Sequence, residues 1–132
     1  MGSRFLIDTN TMIYYFDGKF TDQKHETIHR IFQSSFCISV ISKIEFLGWD
    51  KFSDDIKVRA RNFIDNAEVF LLSEDIVEET INLKNSKRIK LPDAVIAATC
   101  LVHGHTIVTR NTKDFSGIKN LKIYNPFNIE NG

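Results

Sequence analysis

The sequence predicts an α/β fold, a three-layer α/β/α arrangement around a central, mainly parallel sheet. The first strand is an uninterrupted apolar run, Phe5–Ile7, in which no polar residue alternates. Such a run is typical of a strand that helices cover on both faces, as in a parallel sheet. Short apolar strands of this kind alternate with amphipathic helices along the rest of the chain. This alternation predicts a succession of βα units.

The elements of the first half follow from apolar runs and from residues that cap helices. Residues 11–16 are apolar and aromatic, and an Asp-Gly pair ends this first helix. A Thr-Asp pair at 21–22 begins the second helix, whose apolar residues keep helical spacing up to residue 32. The second strand covers 36–39. A serine at its end, or the one three residues later, caps a third helix that continues through residue 49.

The second half repeats the same pattern. Its clearest helix covers residues 93–102, because Pro92 lies near the first turn and Gly104 follows the last. The remaining elements are a helix at 53–66, a strand at 69–72, a helix capped by Ser73, a polar loop at 85–90, and strands at 106–109 and 122–124.

The order of the strands follows from how such sheets are wound. If the chain runs one way through the first three strands and then crosses back, the fourth strand lies beside the first. Open α/β sheets bind their ligands at such a switch point, in the crevice at the carboxyl ends of the strands. Asp8 follows the first strand, and residues 110–114 follow the fourth. We therefore expect the functional site at this edge.

Composition and charge narrow the classes of function. The chain carries 17 Lys and Arg residues against 17 Asp and Glu residues, so no global field attracts nucleic acid. Binding of a polyanion to this chain would require a local basic patch or bound cations. The apolar surroundings of Cys37 and Cys100 favour buried reduced thiols, with a disulfide as the alternative. No apolar run reaches membrane-spanning length, and no signal peptide is visible. We expect one soluble, cytoplasmic domain over residues 1–132.

Four acidic residues stand at strand ends or helix starts: Asp8, Glu45, Asp93 and Asp114. Each has a simpler structural explanation. Asp8 is a good N-cap, Glu45 fits a capping box with Ser42, Asp93 suits the first turn of a helix, and Asp114 suits a turn. Together, however, they fall on the same predicted edge of the sheet. Converging carboxylates repel one another unless a cation neutralises them. Oxygen ligands favour Mg²⁺ or Mn²⁺, and such ions promote phosphodiester hydrolysis.

The segments that carry these acids resemble the four motifs of PIN-domain nucleases. The segments are 5–10, 39–45, 91–98, where Leu-Pro-Asp-Ala is the most specific part, and 109–115. Their order and spacing are most similar to those of the VapC-type toxins of bacterial toxin–antitoxin pairs. The resemblance implies a PIN-like fold and a metal-dependent endoribonuclease that leaves 5′-phosphate and 3′-hydroxyl ends. It also implies a homodimer and a cognate antitoxin protein.

Carried over by position, the resemblance gives each residue a role. Asp8, Glu45, Asp93 and Asp114 match the family's acidic metal-site and catalytic residues. Thr9 and Asn111 match its auxiliary polar positions, and some relatives carry an acid where this chain has Asn111. A catalytically silent PIN fold that only binds RNA or protein is the alternative. The complete set of four acids favours the enzyme.

Three other features allow more than one interpretation. His25-Glu26-x-x-His29 fits the H-E-x-x-H pattern of zinc hydrolases, but the flanks are charged and no third ligand is evident. The aromatic residues Tyr14, Tyr15, Phe46 and Trp49 are candidates for core packing or for a partner surface. A basic stretch before Asp93, together with Arg110, is either a solvated loop or an RNA-binding patch. These basic residues are Lys84, Lys87, Arg88, Lys90 and Arg110.

Overall fold

A central sheet of five strands organises the structure, a computed structural model that describes residues 4–20 and 25–127. The strands are β1 (Phe5–Ile7), β2 (Cys37–Ser39), β3 (Glu68–Phe70), β4 (Thr106–Val108) and β5 (Ile123–Tyr124). The strand order is β3-β2-β1-β4-β5, and all four pairings are parallel. β4 therefore lies beside β1, as the sequence predicted.

Helices cover both faces of this sheet, which confirms the three-layer α/β/α fold. Neighbouring residues of a strand point to opposite faces. In β1, Leu6 joins one core cluster and Ile7 the other, and Ile107 and Val108 of β4 divide in the same way. The helices are α1 (Thr9–Phe16), α2 (Glu26–Ser34), α3 (Val40–Leu47), α4 (Asp54–Ile64), α5 (Glu74–Ser86), α6 (Leu91–His103) and α7 (Thr112–Phe115).

Local capping chemistry explains where most helices begin and end. The hydroxyls of Ser53 and Ser73 accept hydrogen bonds from backbone N–H groups in the first turns of α4 and α5. Pro92 occupies the first turn of α6, and Gly104 ends that helix with φ of 70°, a conformation that glycine adopts without strain. The structure therefore agrees with the sequence most closely where a capping residue was present.

Several predicted boundaries differ from the structure. β3 ends at Phe70, so Leu71 and Leu72 do not belong to the strand and are 69% and 54% exposed. α5 continues to Ser86, which shortens the predicted loop. α7 was expected to be only a turn. The predicted N-caps at 21–22 lie outside the described residues.

Most aromatic residues of the early helices belong to the core on one face of the sheet. Phe46 is completely buried, and Tyr15 stacks on Phe32 with ring centroids 3.8 Å apart. Phe46 is therefore not available for a partner surface, because the protein itself covers this ring. Tyr14, Tyr15 and Trp49 are partly buried and pack against the same cluster, so their part in a partner surface stays a prediction.

Both cysteines are buried free thiols, so the expectation of reduced cysteines is confirmed. Burial raises the pKa of Cys100 to about 12. No helix in the described part of the chain combines the length and the apolar character needed to cross a membrane.

Candidate functional site

Asp8 lies at the carboxyl end of β1 and is only 5% exposed. Its Oδ1 accepts a hydrogen bond from the Thr11 N–H at 2.9 Å, so Asp8 does cap α1, as the simpler explanation held. Its Oδ2 accepts a hydrogen bond from the Thr109 hydroxyl at 2.5 Å. Each carboxylate oxygen has two lone pairs, so a cap and a ligand role are compatible. Burial, the largest influence, raises the pKa of Asp8.

Thr9 connects α1 to the second acid. Its hydroxyl oxygen lies 2.6 Å from Oε1 of Glu45 and 3.0 Å from the Ser42 hydroxyl. A hydroxyl has one proton, and the shorter contact to the carboxylate is the stronger bond, so Thr9 donates to Glu45. The expected Ser42–Glu45 capping box is wrong. Ser39 caps α3 by accepting from the Ile41 N–H, which places Glu45 in the second turn.

Asp93 lies in the first turn of α6 and is partly buried. Its pKa is raised from 3.8 to about 6. Burial is the largest cause, and the negative charges of Asp114, Glu45 and Asp8 add to it, while Lys90 acts in the opposite direction. A carboxylate that served only the helix dipole would be stabilised in its charged form. The contributions of Asp114, Glu45 and Asp8, which come after that of burial, indicate that these acids repel the charged form of Asp93.

Asp114 and Asn111 lie beyond the end of β4, on and just before α7. The Asp114 N–H donates to the Asn111 carbonyl at 3.1 Å, which closes the turn that begins this short helix. Asn111 also donates its own N–H to the Thr109 hydroxyl at 3.0 Å. The loop after β4 is thereby joined to the same hydroxyl that contacts Asp8.

One cavity of about 600 Å³ lies at the carboxyl ends of the strands. The structure brings together on its wall all four acids and both auxiliary residues, which the sequence spreads over more than a hundred positions. Lys90 and several residues from the start of α1 and the end of α3 complete it. The lining residues are Asp8, Thr9, Asn10, Ile13, Glu45, Gly48, Trp49, Asp50, Lys90, Pro92, Asp93, Ile96, Asn111, Asp114 and Phe115.

The donor set of this cavity fits a hard divalent cation in its chemistry. The acids offer only oxygen atoms. After burial, the negative charges of Asp114, Glu45 and Asp8 contribute to the raised pKa of Asp93, and a cation would relieve this repulsion. As the side chains stand, the described residues contain no group of three or more acidic, histidine or cysteine side chains already positioned to hold an ion. Binding would therefore require the acidic side chains to move closer together.

Thr109 is the residue of this site that the sequence analysis did not identify. It is completely buried, accepts from the Asn111 N–H and donates to Asp8. Its backbone N–H donates to the Tyr124 carbonyl at 3.0 Å, which fixes it between β4 and β5. The only signal in the sequence was a hydroxyl at the end of a strand. Thr109 acts on the acidic cluster through Asp8 and is therefore a positioning residue.

The five basic residues do not form one patch. Lys90 lines the main cavity, and Arg88 is exposed. The Lys84 amine donates to the Ile89 carbonyl at 2.6 Å, and the Lys87 amine donates to the Ser116 carbonyl at 2.7 Å beside a different cavity. Arg110 donates to the Tyr14 hydroxyl at 2.6 Å and lies over two aromatic rings.

The zinc motif gains no support from the contacts of its members. Glu26 forms an exposed ion pair with Arg30 at 3.3 Å, and His29 Nδ1 lies 3.3 Å from the Tyr15 hydroxyl. In zinc hydrolases the same glutamate serves as the general base beside the metal. The described residues provide no third ligand near the two histidines.

Comparison with known proteins identifies the family of this fold. The family model described as the PIN domain matches residues 5–121. The chain belongs to the PIN domain family. Solved structures support this placement, whereas no curated protein sequence matches significantly. A chain of a toxin–antitoxin complex from Klebsiella pneumoniae is 31% identical, with coverage of 92% of this chain and 96% of that one and a TM-score of 0.72.

Two further structures resemble this PIN domain in fold. A chain of DNA-bound VapBC from Salmonella typhimurium is 22% identical, with coverage of 95% and 99% and a TM-score of 0.78. A chain of VapBC2 from Rickettsia felis, bound to a promoter DNA fragment, is also 22% identical, with coverage of 92% and 97% and a TM-score of 0.75. The resemblance to VapC-type nuclease toxins, predicted from the four motifs, is thereby confirmed.

Proposed function

We propose that this PIN domain is a Mg²⁺- or Mn²⁺-dependent endoribonuclease and the toxin of a toxin–antitoxin pair, acting in the cytoplasm. The observation that carries the proposal is the position of four carboxylates around one cavity, at the switch point of a parallel sheet. Burial first, and then the charges of the other three acids, raise the pKa of Asp93 to about 6. Such a cluster is strained without a cation and is suited to bind one together with a phosphate.

Different residues of the chain have different roles in the proposed hydrolysis. A bound Mg²⁺ or Mn²⁺ supplies Lewis-acid charge beside the phosphorus and lowers the pKa of the attacking water. Asp8, Glu45, Asp93 and Asp114 are the residues that would hold it. The hydrogen bonds to Asp8 from Thr11 and Thr109 fix the direction of its free lone pairs.

Other polar groups orient this cluster and the substrate. The hydroxyl of Thr9 holds Glu45 through a 2.6 Å hydrogen bond. Asn111 lies on the cavity wall and can donate its side-chain amide to a phosphate oxygen. The amine of Lys90 places a positive charge beside the acids, where it can bind the phosphate that is attacked. By family resemblance, hydrolysis leaves a 5′-phosphate and a 3′-hydroxyl end.

Metal dependence is the first test. Purified protein is incubated with total single-stranded RNA in Mg²⁺, in Mn²⁺, in Zn²⁺ and in chelator. We expect cleavage in Mg²⁺ or Mn²⁺ and none in chelator, because the site offers oxygen ligands only. Calorimetric titration with Mg²⁺ gives a readout that does not depend on activity. The His29→Ala variant serves as a control and should cleave like wild type. If wild type cleaved RNA with Zn²⁺ alone and this variant did not, the histidine motif would be the active site.

Contact of Lys90 with phosphate is the second test. In Lys90→Gln, we expect the log–log salt slope of RNA binding to fall by about 0.7, the value of one lost contact to a single strand. The matched control is Lys57→Gln, because Lys57 is an exposed lysine of α4 that does not line the cavity. That control should keep the slope. Equal slopes for wild type and Lys90→Gln would remove Lys90 from the RNA-binding residues.

The five basic residues identified in the sequence remain proposed RNA-binding residues, but their positions in the structure support this role unequally. Lys90 and Arg88 have the most accessible positive charges for a phosphate. Lys84, Lys87 and Arg110 would first have to release a carbonyl or a tyrosine hydroxyl. Each such exchange reduces the net gain from a phosphate contact.

The proposed partners are RNA, a cognate antitoxin protein and a second copy of this chain. The similarity to a chain of the Klebsiella pneumoniae toxin–antitoxin complex supports the antitoxin. Exposed Leu71 and Leu72, beyond the end of β3, offer apolar surface for an interface. Co-expression with the product of an adjacent small reading frame, followed by measurement of molecular mass in solution, tests both. A monomer that no neighbouring product binds would contradict them.

A further inference from the structure

Trp49, the single tryptophan of the chain, faces the same cavity as the four acids. It follows α3 and packs against the aromatic core without being fully buried. Across the described residues, no second aromatic ring is stacked on Trp49, whereas most neighbouring phenylalanines and tyrosines contact one another. A partly exposed tryptophan ring on a cavity wall can offer its surface to a planar ligand.

Hydrogen bonds hold the backbone at Trp49. The Trp49 N–H donates to the Phe46 carbonyl at 3.2 Å, and the Trp49 carbonyl accepts from the Phe52 N–H at 3.4 Å. Gly48 precedes it and also lines the cavity. A Cβ at position 48 would lie 2.9 Å from the Ile44 carbonyl oxygen, so any other residue would displace the turn. Binding at Trp49 would therefore not have to order this backbone, which lowers the entropic cost of binding a ligand.

The position of Trp49 relative to the acids matters for its role. Glu45 and Trp49 are four residues apart, and the chain continues the helical turn between them, so the two side chains lie about one turn apart along the same side. A group stacked on Trp49 would therefore be a near neighbour of a phosphate held at the acids. In RNA, that group is a nucleobase.

Asp50 indicates which part of the nucleotide lies there. Its exposed carboxylate lines the cavity beside Trp49 and would repel a phosphate. A carboxylate accepts hydrogen bonds from the amino group of cytosine, adenine or guanine. Uracil has no amino group: its single donor on this edge, N3–H, is flanked by two carbonyl oxygens that would repel a carboxylate.

We propose that Trp49 is the stacking platform for a nucleobase adjacent to the scissile phosphate, and that Asp50 selects a base with an exocyclic amino group. The cavity thus has a specificity site for unpaired RNA next to the acidic cluster. Single-stranded RNA is commonly recognised in this way, by stacking on an aromatic ring and by hydrogen bonds to a base edge. The placement of the phosphate rests on the proposed nuclease function, whereas the stacking itself can be measured without cleavage.

The tryptophan fluorescence of the chain, excited selectively over that of its three tyrosines, reports on Trp49 alone, since there is no other tryptophan. Wild type is titrated with oligocytidylate and oligouridylate of about six nucleotides, within the site sizes of single-strand binders. The titration is done in chelator, and again in Mg²⁺ with the Asp93→Asn variant. We expect oligocytidylate to quench the fluorescence and to bind more tightly than oligouridylate. These two pyrimidine oligomers differ mainly in the base edge that Asp50 would contact.

Variants then separate stacking from packing. Trp49→Ala should weaken oligocytidylate binding, measured by anisotropy of a labelled oligomer, about 5- to 150-fold, and Trp49→Phe should lose much less. Asp50→Asn should reduce the difference between the two oligomers, because an amide can also donate to the uracil carbonyls. Val58→Ala is the matched control, an exposed apolar truncation on α4 outside the cavity, and should bind RNA like wild type. Melting temperatures confirm that each variant is folded.

The outcomes distinguish this proposal from the proposed function. Unchanged fluorescence with both oligomers and wild-type binding by Trp49→Ala, while wild type still cleaves RNA, would overturn the stacking site alone. Quenching without cleavage in any metal would support the stacking site and contradict the nuclease. If Trp49→Ala lost binding to a co-expressed antitoxin and bound oligocytidylate like wild type, Trp49 would be a protein anchor and the proposal would be wrong.

Discussion

Replacing Asp93 by Asn is expected to abolish RNA cleavage and, at the same time, to make the metal-free protein more stable above about pH 7. Asp93 is an acid whose pKa in the folded protein is raised from 3.8 to about 6. The folded state therefore disfavours its charged form, chiefly through burial and then through Asp114 and Glu45. Asparagine nearly conserves the shape of the side chain and removes the charge.

The pH dependence has a definite sign. Below the unfolded pKa of 3.8, Asp93 is protonated in both states and costs no stability. Between that value and about 6, the unfolded chain loses its proton first, so wild type loses stability as pH rises. The shift corresponds to at most about 3 kcal/mol, which solvent screening of this partly exposed group reduces to about 1–2 kcal/mol. Denaturant unfolding of wild type and Asp93→Asn should agree near pH 4 and diverge toward neutral pH.

Two further measurements complete this test. Mg²⁺ at a hundred times its dissociation constant should stabilise wild type by about 2.7 kcal/mol, and the variant less at the same concentration. The control is Asp54→Asn, an exposed first-turn acid of α4, which should lose a few tenths to about 1 kcal/mol at every pH above its titration. If Asp93→Asn were destabilised like this control and still cleaved RNA, Asp93 would only stabilise the start of α6.

Replacing Thr109 by Val should destabilise the fold by about 2–3 kcal/mol and weaken Mg²⁺ binding about 10- to 100-fold. Valine fills nearly the same space but leaves the Asn111 N–H without its acceptor and Asp8 Oδ2 without its donor, both in a buried site. The hydrogen bond from Thr109 also lowers the pKa of Asp8, so its loss favours the protonated carboxyl, which binds metal poorly. Unfolding curves and calorimetric Mg²⁺ titration measure the two effects separately.

Matched variants distinguish positioning from packing. Thr109→Ser keeps the hydroxyl and should retain Mg²⁺ affinity, while it loses about 1 kcal/mol of stability with the methyl group. Thr99→Val removes an equally buried hydroxyl that bonds only to the Val95 carbonyl of its own helix, so it should leave the site unchanged. If Thr109→Val kept wild-type Mg²⁺ affinity and cleavage per folded molecule, Thr109 would have only a structural role.

The fold could be predicted from the sequence because its signals are local. The apolar run Phe5–Ile7 shows that β1 is covered on both faces, and Leu6 and Ile7 indeed belong to different core clusters. Pro92 and Gly104 bracket α6, since each has a backbone preference that suits one end of a helix. The strand order followed from winding rules, which place the fourth strand beside the first.

The sequence by itself thus determined the architecture, the sheet edge that carries the site and the four acids that face it. Only the tertiary structure decided which groups hold those acids. Thr109 and Asp8 are 101 residues apart in sequence, and Thr9 and Glu45 are 36 residues apart. A hydroxyl at a strand end is common and has no distinguishing neighbour. Its partner is set by how strands pack, because a hydrogen bond depends on distance in space and leaves no periodic pattern along the chain.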